Sequence, residues 1–164
     1  MDEACLLRSE RLTLMPLQQG DQAFVERLLQ CELVRRYLGG PLDSNELGPT
    51  FARYLDLAAN HYVWAVRDVA AAGDPIGLVF LDRHKRLDAP ELSFQFDAGS
   101  WGQGYAFEAC STAKHFARQN SGASRIVAET QSVNCRSVAL LHRLGFKEME
   151  RLIRFGELQS VFVA

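Results

Sequence analysis

Residues 91–109 read Glu91-Leu92-Ser93-Phe94-Gln95-Phe96-Asp97-Ala98-Gly99-Ser100-Trp101-Gly102-Gln103-Gly104-Tyr105-Ala106-Phe107-Glu108-Ala109, and the period of the apolar residues changes within them. Leu92, Phe94 and Phe96 alternate with Ser93, Gln95 and Asp97, the two-residue period of a strand. Beyond Gly99, residues Ala106, Ala109, Cys110, Ala113, Phe116 and Ala117 recur at helical spacing, which predicts a helix of about 15 residues from near Gly104. The two glycines of Trp101-Gly102-Gln103-Gly104 lie at the junction. Glycine lets backbone N–H groups face an anion without side-chain obstruction, and a helix start adds about half a positive charge. The turn is therefore a candidate pyrophosphate cradle; a plain structural turn is the other reading. The dinucleotide pattern G-x-G-x-x-G fails because Phe107 stands in the third glycine's place, and no G-K-[ST] is present.

Toward the N-terminus the patterning predicts a strand over 12–17. A helix follows that Asp21 caps and that carries Phe24, Val25, Leu28 and Leu29 on one face. Gly39-Gly40-Pro41 ends that region. A second helix presents Phe51, Tyr54, Leu55 and Ala58. Asp43 and Glu46 have capping-box spacing, but Pro49 would then fall inside the helix, so a turn at 44–47 and a helix from near Pro49 are expected. Strands are expected at 62–69 and 76–81, with a turn at 70–74, and the charged run 82–86 reads as a solvated hairpin. Toward the C-terminus come a strand over 125–131 and a helix capped by Asn134 that carries Val138, Leu141 and Leu144. Gly145 serves as its C′ residue, and strands at 147–154 and 158–163 follow. The order is that of an α/β protein with a mixed sheet.

A chain of 164 residues is about one domain, taken here as 1–164. Hydrophobic residues at 48% and charged residues at 23% exclude a disordered tail and a coiled coil. Twenty acidic against 18 basic residues leave a net charge of −2, without the basic excess of a nucleic-acid binder, although a local basic pocket stays open. Cys5, Cys31, Cys110 and Cys135 lack CxxC spacing, and His61, His84, His115 and His142 lack ligand spacing, so neither disulfides nor a metal are expected. Each histidine reads as a surface or packed residue. Met1-Asp2-Glu3 is acidic where a signal peptide would be basic, and no apolar run approaches the ~18 residues of a membrane span. The expectation is a cytoplasmic monomer or homodimer with no nucleic-acid or membrane partner.

Residues 91–109 resemble, without a gap, the acetyl-CoA motif of the GNAT N-acetyltransferases. They are most similar to the RimJ/RimL-like branch, whose pattern there is roughly E-[LI]-G-Y-x-[LI]-x-P-x-x-W-G-x-G-Y-A-x-E-A. The Q/R-x-x-G-x-G/A signature is matched from its first glycine onward, with Trp101 in the Q/R place. Ser93 and Ala98 depart from the pattern's glycine and proline. A second block runs from Arg125-Ile126-Val127-Ala128 through Asn134-Cys135-Arg136-Ser137 to Leu144-Gly145-Phe146 and is similar to the family's N-x-x-S…LGF ending. Ser9-Glu10-Arg11-Leu12-Thr13-Leu14 with Pro16-Leu17 is similar to its first strand. Leu141 stands where many relatives place the tyrosine acid that serves the departing thiolate.

The resemblance implies a GNAT fold: a mixed sheet of six to seven strands flanked by about four helices, splayed between the fourth and fifth strands. It implies direct acetyl transfer from acetyl-CoA to a primary amine, on a protein N-terminus or a small molecule, in a ternary complex. Backbone groups of Phe94, Gln95 and Phe96 would hold the thioester carbonyl and the pantetheine amides. Trp101, Gly102, Gln103, Gly104, Tyr105 and Ala106 would surround the pyrophosphate. Asn134 would bind the pantetheine arm, and Ser137, one turn later, would both contact the cofactor and donate to the leaving sulfur. Glu91 is the first choice of base, directly or through water, and Glu129 the second; residues 33–47 would line the acceptor side. The blander readings make Glu91 a solvated strand-end residue, Asn134 an N-cap, Ser137 an exposed first-turn serine, Glu108 structural and Cys110 inert core. At the level of function, the alternative is a CoA-binding sensor or interaction module that lacks turnover. A nucleotide-binding redox domain is disfavoured by the broken fingerprint.

Overall fold

A computed structural model of the chain describes residues 6–71, 73–120, 122 and 124–164. The strands are β1 (Leu7–Arg8), β2 (Leu12–Pro16), β3 (Tyr62–Asp68), β4 (Gly77–His84), β5 (Ala89–Phe96), β6 (Val127–Gln131), β7 (Lys147–Arg154) and β8 (Glu157–Val163). The helices are α1 (Gln22–Gln30), α2 (Glu32–Arg35), α3 (Ser44–Asn60), α4 (Tyr105–Asn120) and α5 (Cys135–Arg143). The strands form one sheet in the order β1-β2-β3-β4-β5-β6-β8-β7. All neighbours are antiparallel except β5 and β6, which run parallel and pair at Glu91 and Val127 alone. Beyond that pair the two strands diverge, opening a gap toward Phe96 and Gln131. These are the fourth and fifth strands of the sequence reading. The eighth strand is two-residue β1, which pairs Leu7 with Leu14 and is too short to show a period.

Alternation along the strands assigns the two faces of the sheet. Trp64, Val66, Val79, Leu81, Leu92 and Phe96 pack under α4 and α5, whereas Val63, Ala65, Leu78 and Phe80 pack under α1 and α3. Small residues on the inner face of α4, including Ala109, Cys110 and Ala113, are fully buried and let the helix lie close to the sheet. At Gly77 a Cβ would stand 2.4 Å from the Phe96 ring, so the glycine makes room for the end of β5.

Three expectations are corrected. The third helix begins at Ser44, not near Pro49: Glu46 accepts the Asp43 main-chain N–H at 3.0 Å, and the capping box outweighs the proline. Pro49 forfeits the bond to the Asn45 carbonyl, but both residues are exposed and water can serve that group. Asp21 occupies the N-cap position of α1 without capping it. Its carboxylate accepts the Gln18 N–H at 2.9 Å and pairs with Arg67. Finally, 82–86 is not a solvated hairpin throughout, because Asp82 and His84 continue β4 and His84 is 1% exposed. Cys31, Cys110 and Cys135 are free thiols, and burial pushes the Cys110 thiol far above its ordinary range. Met1 to Cys5 and the expected turn residue Ala72 lie outside the described residues. No helix among the described residues is long and apolar enough to cross a membrane.

Candidate active site

The glycine turn is held from both ends. The Trp101 indole donates to the Phe96 carbonyl at 2.8 Å, tying the loop to the last residue of β5. Gly102 and Gly104 adopt φ of +78° and +82°, conformations that L side chains disfavour, and a Cβ on Gly102 would meet nothing within 4 Å. The backbone there is turned outward around open space at the start of α4. Arg11 fixes the other side: its Nη1 donates to the Gln103 carbonyl at 3.0 Å, its Nε to Glu108 at 2.7 Å, and its guanidinium lies 4.7 Å from the Tyr105 ring centroid. Glu108 also accepts from the Ser9 hydroxyl and the Arg11 main chain, each at 2.7 Å, so it joins the turn between β1 and β2 to α4. Arg136 covers the Trp101 ring at 4.7 Å and Arg143 the Phe107 ring at 4.8 Å. Three arginines thus stand around this loop, beside an open depression of about 430 Å³ lined by Arg11 and Arg143 and also by Glu10 and Glu108, the latter paired with Arg11.

The gap between β5 and β6 starts at this loop. Asp97 donates its N–H to Ile76 on the β4 side, so strand alternation turns the main-chain groups of Phe94 and Phe96 the other way, toward the gap. The Phe96 carbonyl is taken by Trp101. Gln95 projects from the opposite face: its Nε2 reaches the Tyr54 hydroxyl of α3 at 3.4 Å, and its buried Oε1 has no hydrogen-bond partner. A buried amide left half-satisfied is costly unless something else supplies a donor.

At the open end of the gap, α5 follows β6. Asn134 accepts the Ser137 N–H at 3.3 Å and donates to the Ser137 Oγ at 2.9 Å and the Thr130 Oγ1 at 3.3 Å. Both amide hydrogens of Asn134 are thereby used within the chain, leaving the second lone pair of Oδ1. Because Ser137 Oγ accepts from Asn134, its own hydrogen is free to point elsewhere. Leu141 is 1% exposed within the core.

Glu91 stands at the closed end, where β5 and β6 still pair. It is half-buried, and its neighbour across β4 is Asp82. Burial, with Asp82 and Glu129 adding like charge, raises its carboxyl from 4.5 to about 7, while Arg154 works against the rise. Burial likewise raises Asp82. Glu129 is differently placed: Arg154 donates to its Oε2 at 2.7 Å, and His84 Nε2 lies 3.3 Å from the same oxygen. His84, Glu91 and Glu129 bring ligand-type atoms within 4.8 Å of one another, but the Arg154 guanidinium already supplies the positive charge there.

The sequence-selected residues thus fall into two groups, the loop with Asn134 and Ser137 at the open end and Glu91 with Glu129 at the closed end. Arg11, Arg136 and Arg143 at the loop, and Asp82, His84 and Arg154 near Glu91, were missed. Asp82 and His84 carry a legible signal, since they continue the two-residue period of Leu78 and Phe80. Arg11, from the β1–β2 turn, and Arg154, from β7, meet carboxylates 97 and 25 residues away, so no local signal marks them.

Residues 11–147 match the acetyltransferase (GNAT) domain family. The chain is similar to FsC-acetyl coenzyme A-N(2)-transacetylase of Aspergillus fumigatus, with 24% identity over 161 residues that cover 88% of this chain and 66% of that protein. It superimposes on an acetyltransferase from Agrobacterium tumefaciens with a TM-score of 0.83 at 24% identity, covering 97% of this chain and 93% of the other. The spermidine N-acetyltransferase of Vibrio cholerae, solved with CoA and spermine, superimposes with a TM-score of 0.75 at 23% identity over 94% of each chain. The chain belongs to the GNAT acetyltransferase family.

Proposed function

We propose that this chain is an acetyl-CoA-dependent N-acetyltransferase of the RimJ/RimL-like branch that acts on a primary amine by direct attack in a ternary complex. The observation that carries this reading is a widening gap between parallel strands with two positive-φ glycines and a helix start at its open end and a carboxyl raised to about 7 at its closed end. The arginine-flanked loop suits a pyrophosphate, and the gap-facing groups of Phe94 and Phe96 suit the pantetheine amides and the thioester oxygen.

Direct transfer forms one C–N bond and breaks one C–S bond. Glu91, alone or through a water, takes the proton of the attacking amine; a group that is half ionised near neutral pH suits that task. Ser137 donates a hydrogen bond to the sulfur as negative charge develops there and keeps its proton, so CoA leaves as a stabilised thiolate at a site where buried Leu141 offers no acid. Asn134 holds Ser137 in that orientation, with one lone pair left for the pantetheine arm. Glu129 is the weaker candidate base because its carboxylate is already engaged by the Arg154 guanidinium and His84. The acceptor would approach from the α3 side, past Tyr54 and Gln95.

The test is release of free CoA thiol from acetyl-CoA in the presence of polyamines, amino acids and short peptides, with the acetylated product identified by mass spectrometry. Product formation supports the reading. Saturable acetyl-CoA binding with no product from any amine favours a CoA-binding sensor instead.

A further inference from the structure

Building on the reading of Glu91 as base, we propose that His84 is a positioning residue that fixes the Glu129 carboxylate beside Glu91, and that Arg154, bound to the same oxygen, is its counter-charge, so that the pair tunes the pH at which Glu91 takes up a proton. The two come from strands on opposite sides of Glu129, His84 from the end of β4 and Arg154 from the end of β7. The Leu87 N–H donates to His84 Nδ1 at 3.2 Å, so that nitrogen must be the acceptor and the imidazole proton sits on Nε2. Nε2–H then points at Glu129 Oε2, 3.3 Å away, while Arg154 Nη1 donates to the same oxygen at 2.7 Å. His84 is 1% exposed and the Glu129 side chain 9%, so that contact is shielded from bulk water, whereas the Arg154 side chain reaches it from solvent at 41% exposure. A buried imidazole, oriented by a strand-end turn, and a hairpin arginine converge on one carboxylate oxygen of Glu129, whose carboxylate comes within 4.8 Å of that of Glu91.

The groups facing Glu91 are Asp82 and His84 from β4, Glu129 from β6 and Arg154 from β7, with His61 at the end of α3 bearing on Asp82. Glu129 and Arg154 act on Glu91 with opposite sign, one favouring its protonated form and the other its charged form. Their pairing therefore holds the base between two limits, which a single neighbouring charge could not do.

The experiment is a ¹³C-carboxyl NMR titration of the free protein, with the Glu91 resonance assigned by its absence in Glu91→Gln. Glu129→Gln should lower the Glu91 midpoint by about one pH unit, and Arg154→Gln should raise it by a comparable amount. His84→Gln, which keeps a donor near Glu129, should shift it less than His84→Asn, which keeps the acceptor for Leu87 and loses that donor. A midpoint that stays fixed, or that moves the same way in Glu129→Gln and Arg154→Gln, overturns the proposal; those two sites are read even if a His84 variant fails to fold. Failure of the underlying reading looks different. Glu91→Gln would then retain acetyl transfer, whatever the titration shows.

Discussion

Glu91→Gln should stabilise the protein in mildly alkaline solution and leave it almost unchanged in acid. In the folded chain the carboxyl is raised from 4.5 to about 7, chiefly by burial. The folded state therefore keeps a proton that the unfolded state has already released. The associated stability is fully present below the unfolded value and is lost as pH rises through about 7. At 1.36 kcal/mol per pH unit, the rise corresponds to about 3 kcal/mol lost by pH 8. Glu91 is only half-buried, and water reaching it lowers that figure, so about 1–3 kcal/mol is expected. Glutamine has the shape of the protonated acid and cannot ionise. The variant should match the parent near pH 4 and exceed it by this amount near pH 8, a Tm difference of roughly 2–12 °C for a chain this size. Urea unfolding of both proteins at the two pH values measures it directly. A stability difference that does not change with pH refutes the buried-carboxyl argument, and with it the main physical reason for choosing Glu91 as base.

Ser137→Ala should lower kcat roughly 5–150-fold, about 1–3 kcal/mol, with little change in acetyl-CoA affinity, because the hydroxyl meets a charge that exists only as the C–S bond breaks. Wild-type kcat with chemistry rate-limiting removes that role. Gly104→Val should abolish calorimetric CoA binding in a folded protein, since φ there is +82° and a Cβ would stand 3.4 Å from Arg11 Nη2; unchanged affinity excludes the loop as the phosphate cradle. Acetyl-CoA at 100 times its Kd should stabilise the folded state by about 2.7 kcal/mol and raise Tm, and a larger shift with NAD at equal concentration would contradict the ligand assignment.

The fold was legible where residues alternate between buried and exposed environments over several turns or strand repeats. Leu92, Phe94 and Phe96 ran into the α4 stripe, and the Asn134 to Gly145 helix carried its own cap and terminator. Boundaries failed where local rules competed. At α3 the capping box of Asp43 and Glu46 prevailed over Pro49, an outcome that depends on solvent reaching the Asn45 carbonyl. At 82–86 the two-residue period of Leu78 and Phe80 continues through Asp82 and His84, but the density of charge outweighed it, because a partly buried carboxylate and a buried imidazole read as surface residues until the strand that pairs with them is known. The phosphate loop was legible because its glycines and Trp101 act locally. The surroundings of Glu91 were not, because they are assembled from β4, β6 and β7.

Initial velocities measured while acetyl-CoA and an amine acceptor are varied together test the central claim most directly. Direct transfer in the gap between β5 and β6 predicts double-reciprocal lines that intersect and no acetyl group on the protein. Parallel lines, together with an acetylated side chain detected by mass spectrometry, would contradict it.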